Sequence, residues 1–361
     1  MIHLERQKKI ISLLAEKSLD CLIVRKKENI AYLTGTKGED AILFISPRKK
    51  ILVTDGRYKE EYVKNANGCS VRITNAKENA FQSILHACID TNSKIAGFES
   101  GSLSYQGYIN LKKYLGKRKR LVPVSQVIES IRMIKDEEEI RQIRQACKYG
   151  CQLMNYGISA LKSGLSENKI RRLIEIYALR HNIQLAGFDI IVASGRNASM
   201  PHASPSGKVL GPREMVIIDL GANYRGYNSD LTRTAFLGKI TPKYLSVYEI
   251  VLDSQSRAIE NLKPGVYVKD IDNISRRYIS DKGMGRFFFH SLGHGIGLET
   301  HEIPAISQSS QVKLEKGMVI TIEPGIYIHG WGGVRIEDTV LITENGCEVL
   351  TKGAIKYAGR N

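Results

Sequence analysis

The segment Asp219–Asp230, DLGANYRGYNSD, follows a run, MVII (Met215–Ile218), that reads as a buried β-strand. A buried strand that ends in a carboxylate, turns and returns with a second one needs a chemical reason, because a buried charge is costly unless something pairs with it. Asn223–Gly226, NYRG, places Asn and Gly at the first and fourth positions favoured in a type I turn. A hairpin centred there sets Asp219 opposite Asp230 on one face, with Cβ atoms about 4.5–5.5 Å apart. Two carboxylates held that close in an apolar sheet either take up a proton or enclose a cation.

The pattern occurs twice. VIIDLG (Val216–Gly221) is echoed by ITIEPG (Ile320–Gly325), and DLT (Asp230–Thr232) by EDT (Glu337–Thr339). Both copies read strand, acid-x-Gly, loop, acid-x-Thr, strand, which suggests a duplicated unit. In the second copy the loop is IHGWGG (Ile328–Gly333), and centring it on Gly330 sets Glu323 opposite Glu337. Four such acids concentrate four negative charges, which two divalent cations would balance. A single Asp at a strand end would be read as a turn cap; four acids in two matched hairpins are better explained by a metal site.

A nitrogen ligand is expected from HSLGHGIGLETHE (His290–Glu302), where His290, His294 and His301 place three of the chain's eight histidines within twelve positions. His202 sits in ASMPHASPS, a Pro- and Ser-containing loop of the kind that carries function.

At 361 residues, with 42% apolar and 25% charged side chains, the chain has the size of two domains. The first, residues 1–125, alternates strands (CLIVR, AILFI, ILVTD, SVRIT, KIAGFE) with helices and reads as an α/β domain. The pattern predicts that its last helix runs through YQGYINLKKYLGKRKR (Tyr105–Arg120). The second domain, 126–361, opens on a long helical pattern, IRMIKDEEEIRQIRQACKYGCQLMNYGISAL, with an acidic first turn at Asp136–Glu139.

No run approaches the length of a membrane span, and the N-terminal segment is an amphipathic helix without a signal-peptide core. Cys147 and Cys151 read as two buried thiols on a helix rather than a metal clip, and a reducing cytoplasm suits the cysteine usage. The net charge of +16 is uneven: residues 1–125 hold 23 Lys+Arg against 12 Asp+Glu, a surplus of 11. Part of it is GKRKR (Gly116–Arg120), read as a solvated helix end rather than a nucleic-acid site.

Taken together, D-x-G with a second Asp eleven positions on, G-H-x-x-G-L with a His after it, I-E-P-G and G-x-R-x-E-D resemble the pita-bread metallopeptidases. That superfamily includes aminopeptidase P, prolidase, methionine aminopeptidase and the non-peptidase creatinase. The resemblance is strong from about residue 130 onward. AYLTG and TDGRY extend it more loosely to a creatinase-type N-terminal domain.

It implies an α/β, creatinase-like N-terminal domain followed by an α+β pita-bread catalytic domain. It further implies Asp219, Asp230, His294, Glu323 and Glu337 as metal ligands, with Asp230 and Glu337 bridging two ions. His202 and His301 would be catalytic, Glu323 would accept a proton, and His290 and Arg335 would line the substrate pocket. A hard, oxygen-rich ligand set suits two divalent ions, Mn²⁺ first, with Co²⁺, Zn²⁺ or Fe²⁺ as alternatives. Two such ions can share a hydroxide nucleophile.

Within that superfamily, the extra N-terminal domain and Arg335 resemble aminopeptidase P and prolidase, which implies proline-containing peptides as substrates, cut at the Xaa-Pro bond. Aminopeptidase P is the main reading and Xaa-Pro dipeptidase (prolidase) the alternative. More remote readings are a creatinase-like hydrolase of a small C–N bond and a basic binding protein on the same scaffold; the intact ligand set counts against both. A homodimer is implied by the resemblance.

Overall fold

The computed structural model describes residues 2–75, 78–116 and 119–356. The chain divides into two compact units, Met1–Arg132 and Met133–Asn361. Residues 126–132 are tied to the first: Glu129 accepts hydrogen bonds from Lys26 and Asn29, and Arg132 donates to Asn29.

The first unit is built on β1 (Cys21–Val24), β2 (Ile42–Ile45), β3 (Lys50–Thr54), β4 (Ser70–Ile73), β5 (Ile95–Glu99) and β6 (Arg120–Val124). Their order across the sheet is β4-β3-β2-β1-β5-β6. The β1/β2 and β2/β3 pairs are antiparallel and the other three parallel. Cys21, Ile23, Ile42, Phe44, Ile51 and Val53 alternate onto one face, packed against Ile84, Ala87, Cys88, Leu111 and Leu115 from two helices. Those helices are Ala80–Asp90, which begins with an Asn79/Gln82 capping box, and Tyr105–Leu115.

The second helix is shorter than its sequence suggests. It closes at Gly116, whose N–H bonds Lys112 O, and Arg120 already begins β6. Pairing with β5 outweighs the helical reading of this basic run, part of which, Lys117 and Arg118, lies outside the described residues.

In the second unit the expected opening helix is likewise divided, into Glu129–Arg132 on the first unit's side and Glu137–Ala160. Between them Lys135 N–H bonds Gly317 O, and Ile134 bridges Met318, so this stretch is drawn into strand-like pairing instead. Asp136 then caps the long helix. It accepts from the Glu138 and Glu139 N–H groups at 3.0 Å each, while Glu139 accepts from Asp136 N–H. Cys147 and Cys151 are buried on this helix, and all six cysteines are free thiols.

Two sets of strands are each backed by a helix pair. Ile191–Ser194, Glu214–Leu220 and Leu231–Leu237 form one sheet, with a core shared with Glu137–Ala160 and Glu167–Arg180. Gly293–Gly295, Glu302–Ile306, Val319–Ile322, Asp338–Ile342 and Cys347–Val349 form another, with Gly325–Ile328 and Gly332–Arg335 as a separate ribbon. Pro242–Glu260 and Val268–Asp281 pack against this second set. No helix among the described residues is long and apolar enough to cross a membrane.

The two hairpins differ in register from one another. In the second, Gly325 pairs with Arg335 and Ile328 with Gly332, while beyond it Ile322 pairs with Asp338. Glu323 and Glu337 lie between these pairs in the same register, as the Gly330-centred loop requires. In the first, Tyr224 pairs with Tyr227 and Asp219 with Thr232, not Asp230. The turn is Arg225–Gly226, both with positive φ (51° and 90°), a type I′ geometry whose twist suits a two-residue hairpin loop. Asp230 is therefore a diagonal rather than a direct neighbour of Asp219, typically about 7–8 Å away across a ladder, yet the two-residue shift leaves both on one face.

Candidate metal centre

Asp219 is the penultimate residue of the strand Glu214–Leu220, and Asp230 immediately precedes Leu231–Leu237. Glu323 and Glu337 occupy the short gaps at which the strands Val319–Ile322 and Asp338–Ile342 give way to the smaller ribbon. His294 is the middle residue of Gly293–Gly295. Gly293 permits this strand to lie against its neighbour, since a Cβ there would meet Thr321 O at 2.0 Å. All five side chains line one cavity of about 710 Å³.

Ligand-type atoms of Asp230, His294 and Glu337 lie within 4.8 Å of one another. His294 Nε2 is 3.8 Å from Asp230 Oδ2 and 3.5 Å from Glu323 Oε1. Its Nδ1 is 2.9 Å from Gly295 O, which fixes Nδ1 as the protonated nitrogen and turns the Nε2 lone pair toward the acids. Burial holds this imidazole down to about 4, so it is neutral and ready to ligate at neutral pH.

The carboxylates carry the opposite strain. Burial, then Glu337, Asp219 and Glu323, push Asp230 well above the usual carboxylate range. Burial raises Glu323 to about 8, with Arg335 opposing. Burial, Glu323 and Asp219 raise Glu337. Oδ1 of Asp219 and Oδ1 of Asp230 are buried without a hydrogen-bond partner. Orphaned acceptors, crowded acids and a neutral imidazole with its lone pair inward are what a divalent cation site requires.

The support around these groups was only partly visible in the sequence. The two acid-x-Thr segments exchange contacts: Thr232 Oγ1 donates to Glu337 Oε2 at 2.7 Å, and Thr339 Oγ1 to Asp230 O at 2.7 Å. The repeat shows the threonines, but their crossing between copies has no local signal in the sequence. Arg335, almost fully buried, donates from Nη2 to Asp219 Oδ2 (2.6 Å) and from Nη1 to Tyr327 OH (2.8 Å) and Pro201 O (3.1 Å). Its Nε donates to Thr232 Oγ1 at 3.1 Å. Tyr327 was missed altogether; its only signal was a tyrosine two places past Gly325 in an otherwise aliphatic strand.

The remaining expected residues share the cavity. The His301 ring lies tilted against that of His294, at 58° with centroids 4.3 Å apart, and His301 is exposed. His202, also exposed, lines the same cavity, and His290 Nε2 lies 3.1 Å from Tyr327 OH. Burial lowers His290 to about 4. Thus the cavity gathers His202, Asp219, Asp230, His290, His294, His301, Glu323, Arg335 and Glu337 from segments up to 135 positions apart.

Comparison with known proteins was consistent with this geometry. Residues 141–344 match metallopeptidase family M24, and residues 6–134 match the creatinase/prolidase N-terminal domain. A Xaa-Pro dipeptidase of Pyrococcus furiosus is 40% identical over 350 residues, covering 96% of this chain and 98% of that protein. The solved Xaa-Pro dipeptidase from Bacillus anthracis matches with a TM-score of 0.94 at 34% identity, covering 99% of both chains. The X-Pro aminopeptidase from Thermotoga maritima matches with a TM-score of 0.89 at 32% identity, covering 98% of this chain and 99% of that one.

Proposed function

The chain belongs to metallopeptidase family M24, with the pita-bread fold, and from that premise we propose that it is a dinuclear metallo-exopeptidase cutting the Xaa-Pro bond at peptide N-termini. The observation that carries this reading is the convergence of four acids and one neutral imidazole, two of the acids with orphaned buried oxygens, in a single cavity.

Asp219, Asp230, His294, Glu323 and Glu337 would hold two divalent ions, Mn²⁺ first, with Co²⁺, Zn²⁺ and Fe²⁺ as alternatives. When bound, such ions supply electrophilic stabilisation for the scissile carbonyl and lower the pKa of water toward neutrality. The chain's own groups do the rest. Glu323 accepts the proton of the attacking water. His202 and His301, both exposed and both lining the cavity, bind the carbonyl oxygen and deliver a proton to the leaving nitrogen. His290, set by Tyr327, and the buried Arg335 shape the wall that receives the proline ring. A prolyl leaving nitrogen has no N–H to recognise, so carbonyl activation and a ring pocket suffice.

Two substrate lengths have support. The dipeptidase reading is favoured by the relatives named Xaa-Pro dipeptidase at 40% and 34% identity along nearly the whole chain. The aminopeptidase P reading is favoured by Arg335: its Nε, Nη1 and Nη2 all have protein partners, so it is not free to read a dipeptide's carboxylate. The working form in this reading is a cytoplasmic homodimer.

The test is Mn²⁺-reconstituted protein offered Ala-Pro and Ala-Pro-Ala, with Met-Ala-Ser as control. Cleavage of Ala-Pro alone gives the dipeptidase, and release of Ala from both gives the aminopeptidase. Cleavage of the control alone, or of nothing, overturns the Xaa-Pro reading.

A further inference from the structure

His202 stands on the segment between Ser194 and Ser206, which includes a short 3-10 turn at Gly195–Ser199. Both ends of this segment converge on one buried carboxylate. Glu167, the first residue of the helix Glu167–Arg180, is fully buried and lies apart from the metal cavity's lining. Its Oε1 accepts from the Ser194 N–H and hydroxyl, at 2.8 Å each. Its Oε2 accepts from the Ser206 N–H at 3.0 Å and hydroxyl at 2.6 Å. Asn197 Nδ2 lies 3.1 Å from both oxygens.

Two backbone bonds reinforce the far end: Glu167 N–H to Lys208 O and Asn168 N–H to Ser206 O, both 3.0 Å. Lys208 Nζ reaches back to Ser194 Oγ at 2.8 Å, closing the ring of contacts. Charge-assisted hydrogen bonds of this kind are about twice as strong as neutral ones. Five donors on one buried carboxylate make a rigid clasp.

The contents of the clasp matter because the His202 imidazole makes no hydrogen bond to the protein among the described residues. Its position is therefore set by its backbone, and the backbone is held at Ser194, Asn197 and Ser206 by Glu167 and at Pro201 O by Arg335. We propose that Glu167 is a positioning residue for the reaction, holding the loop so that His202 faces the reacting carbonyl. This rests on the role given to His202 in the proposed function.

The test uses the full-length, metal-loaded enzyme with Glu167→Gln, which replaces one acceptor by an amide that opposes the Ser donors. Each of kcat, KM, bound metal and hydrogen exchange of residues 195–206 is measured, in the wild-type and His202→Ala backgrounds. We expect kcat to fall on the order of 10–100-fold with bound metal unchanged and KM moved far less. In the His202→Ala background the same substitution should cost less than about threefold, because the two residues act as a unit. Exchange of the loop amides should rise.

Ser206→Ala, which removes one hydroxyl and keeps the backbone bond, should show the same pattern at smaller size and serves if Glu167→Gln does not fold. An undiminished loss in the His202→Ala background, or unchanged loop exchange, overturns the proposal. If the wild-type enzyme cleaves no Xaa-Pro peptide, the proposed function fails, while the exchange comparison still decides whether Glu167 holds the loop.

Discussion

Asp219 is held from one side only: Oδ2 accepts from Arg335 Nη2 at 2.6 Å, while Oδ1 is buried and unpaired. The same guanidinium binds Tyr327 OH, Pro201 O and Thr232 Oγ1, so it fixes the direction in which the free oxygen points. A lysine has one point charge and cannot reproduce that fork. Arg335→Lys is expected to weaken divalent-metal affinity by about 10–100-fold, as loss of an orienting partner typically does. Calorimetric titration of metal-free protein with Mn²⁺ measures it, and unchanged affinity would count against the orienting role.

The crowded acids make a pH prediction for the metal-free protein. Glu323 is raised to about 8 when folded, and Asp230 and Glu337 are raised as well. An unfolded glutamate titrates near about 4.3. Between these values the folded state holds protons that the unfolded state has released, so stability is fully present below about 4.3 and is lost as pH rises through about 8. His290 and His294, held to about 4 in the folded state against about 6.5 unfolded, work in the opposite direction below that unfolded value. The Tm of metal-free protein should therefore fall from about pH 6.5 to pH 8, and Mn²⁺ should raise it most at pH 8. A metal-free Tm that is flat or rises across that window contradicts the description of the cavity.

Beside the site, Asp338 and Arg233 form a pair that is almost wholly buried, 2.8 Å apart, with Lys356 also 2.6 Å from Asp338. Burial works to raise the Asp338 pKa, but Arg233 and Lys356 outweigh it and hold the group low. Asp338→Ala leaves Arg233 buried without its carboxylate, and breaking such a pair from one side costs about 3–5 kcal/mol. Urea unfolding at neutral pH should show a loss of that order; a loss within about 0.5 kcal/mol, ordinary for a surface change, would show the pair is not structural.

Gly221 follows Asp219 by two positions and faces Asp230 across the first hairpin. A Cβ there would lie 2.0 Å from Ser229 O, so the glycine of D-x-G is a steric requirement. Gly221→Ala should cost about 1–3 kcal/mol, as overpacking does, and weaken metal binding by separating the hairpin's two arms. A variant with unaltered unfolding midpoint and Mn²⁺ affinity would show that the close approach is not needed.

That Asp219, Asp230, Glu323 and Glu337 share one cavity was legible in the sequence because face parity is robust. The first hairpin was centred one residue early, on Asn223–Gly226, since Arg225 gives no hint of the positive φ that a type I′ turn demands of it. The resulting two-residue register shift turned an opposed pair into a diagonal one without changing which face Asp219 and Asp230 share. The second hairpin's glycines marked its centre directly. What stayed hidden depends on contacts between distant segments: Thr232 reaching Glu337, Tyr327 joining His290 to Arg335, and Lys135 pairing with Gly317 to break the opening helix. Local periodicity carries no information on such partners.

The most direct test of the metal-centre assignment is a titration of metal-stripped protein with Mn²⁺, following bound metal per chain and Xaa-Pro cleavage together, for wild type and for His294→Ala. The expected result is no cleavage without metal, activity that rises as up to two ions bind per chain, and a His294→Ala variant that binds fewer ions and stays inactive. Full cleavage by the stripped protein, or wild-type metal content and activity in His294→Ala, would contradict it.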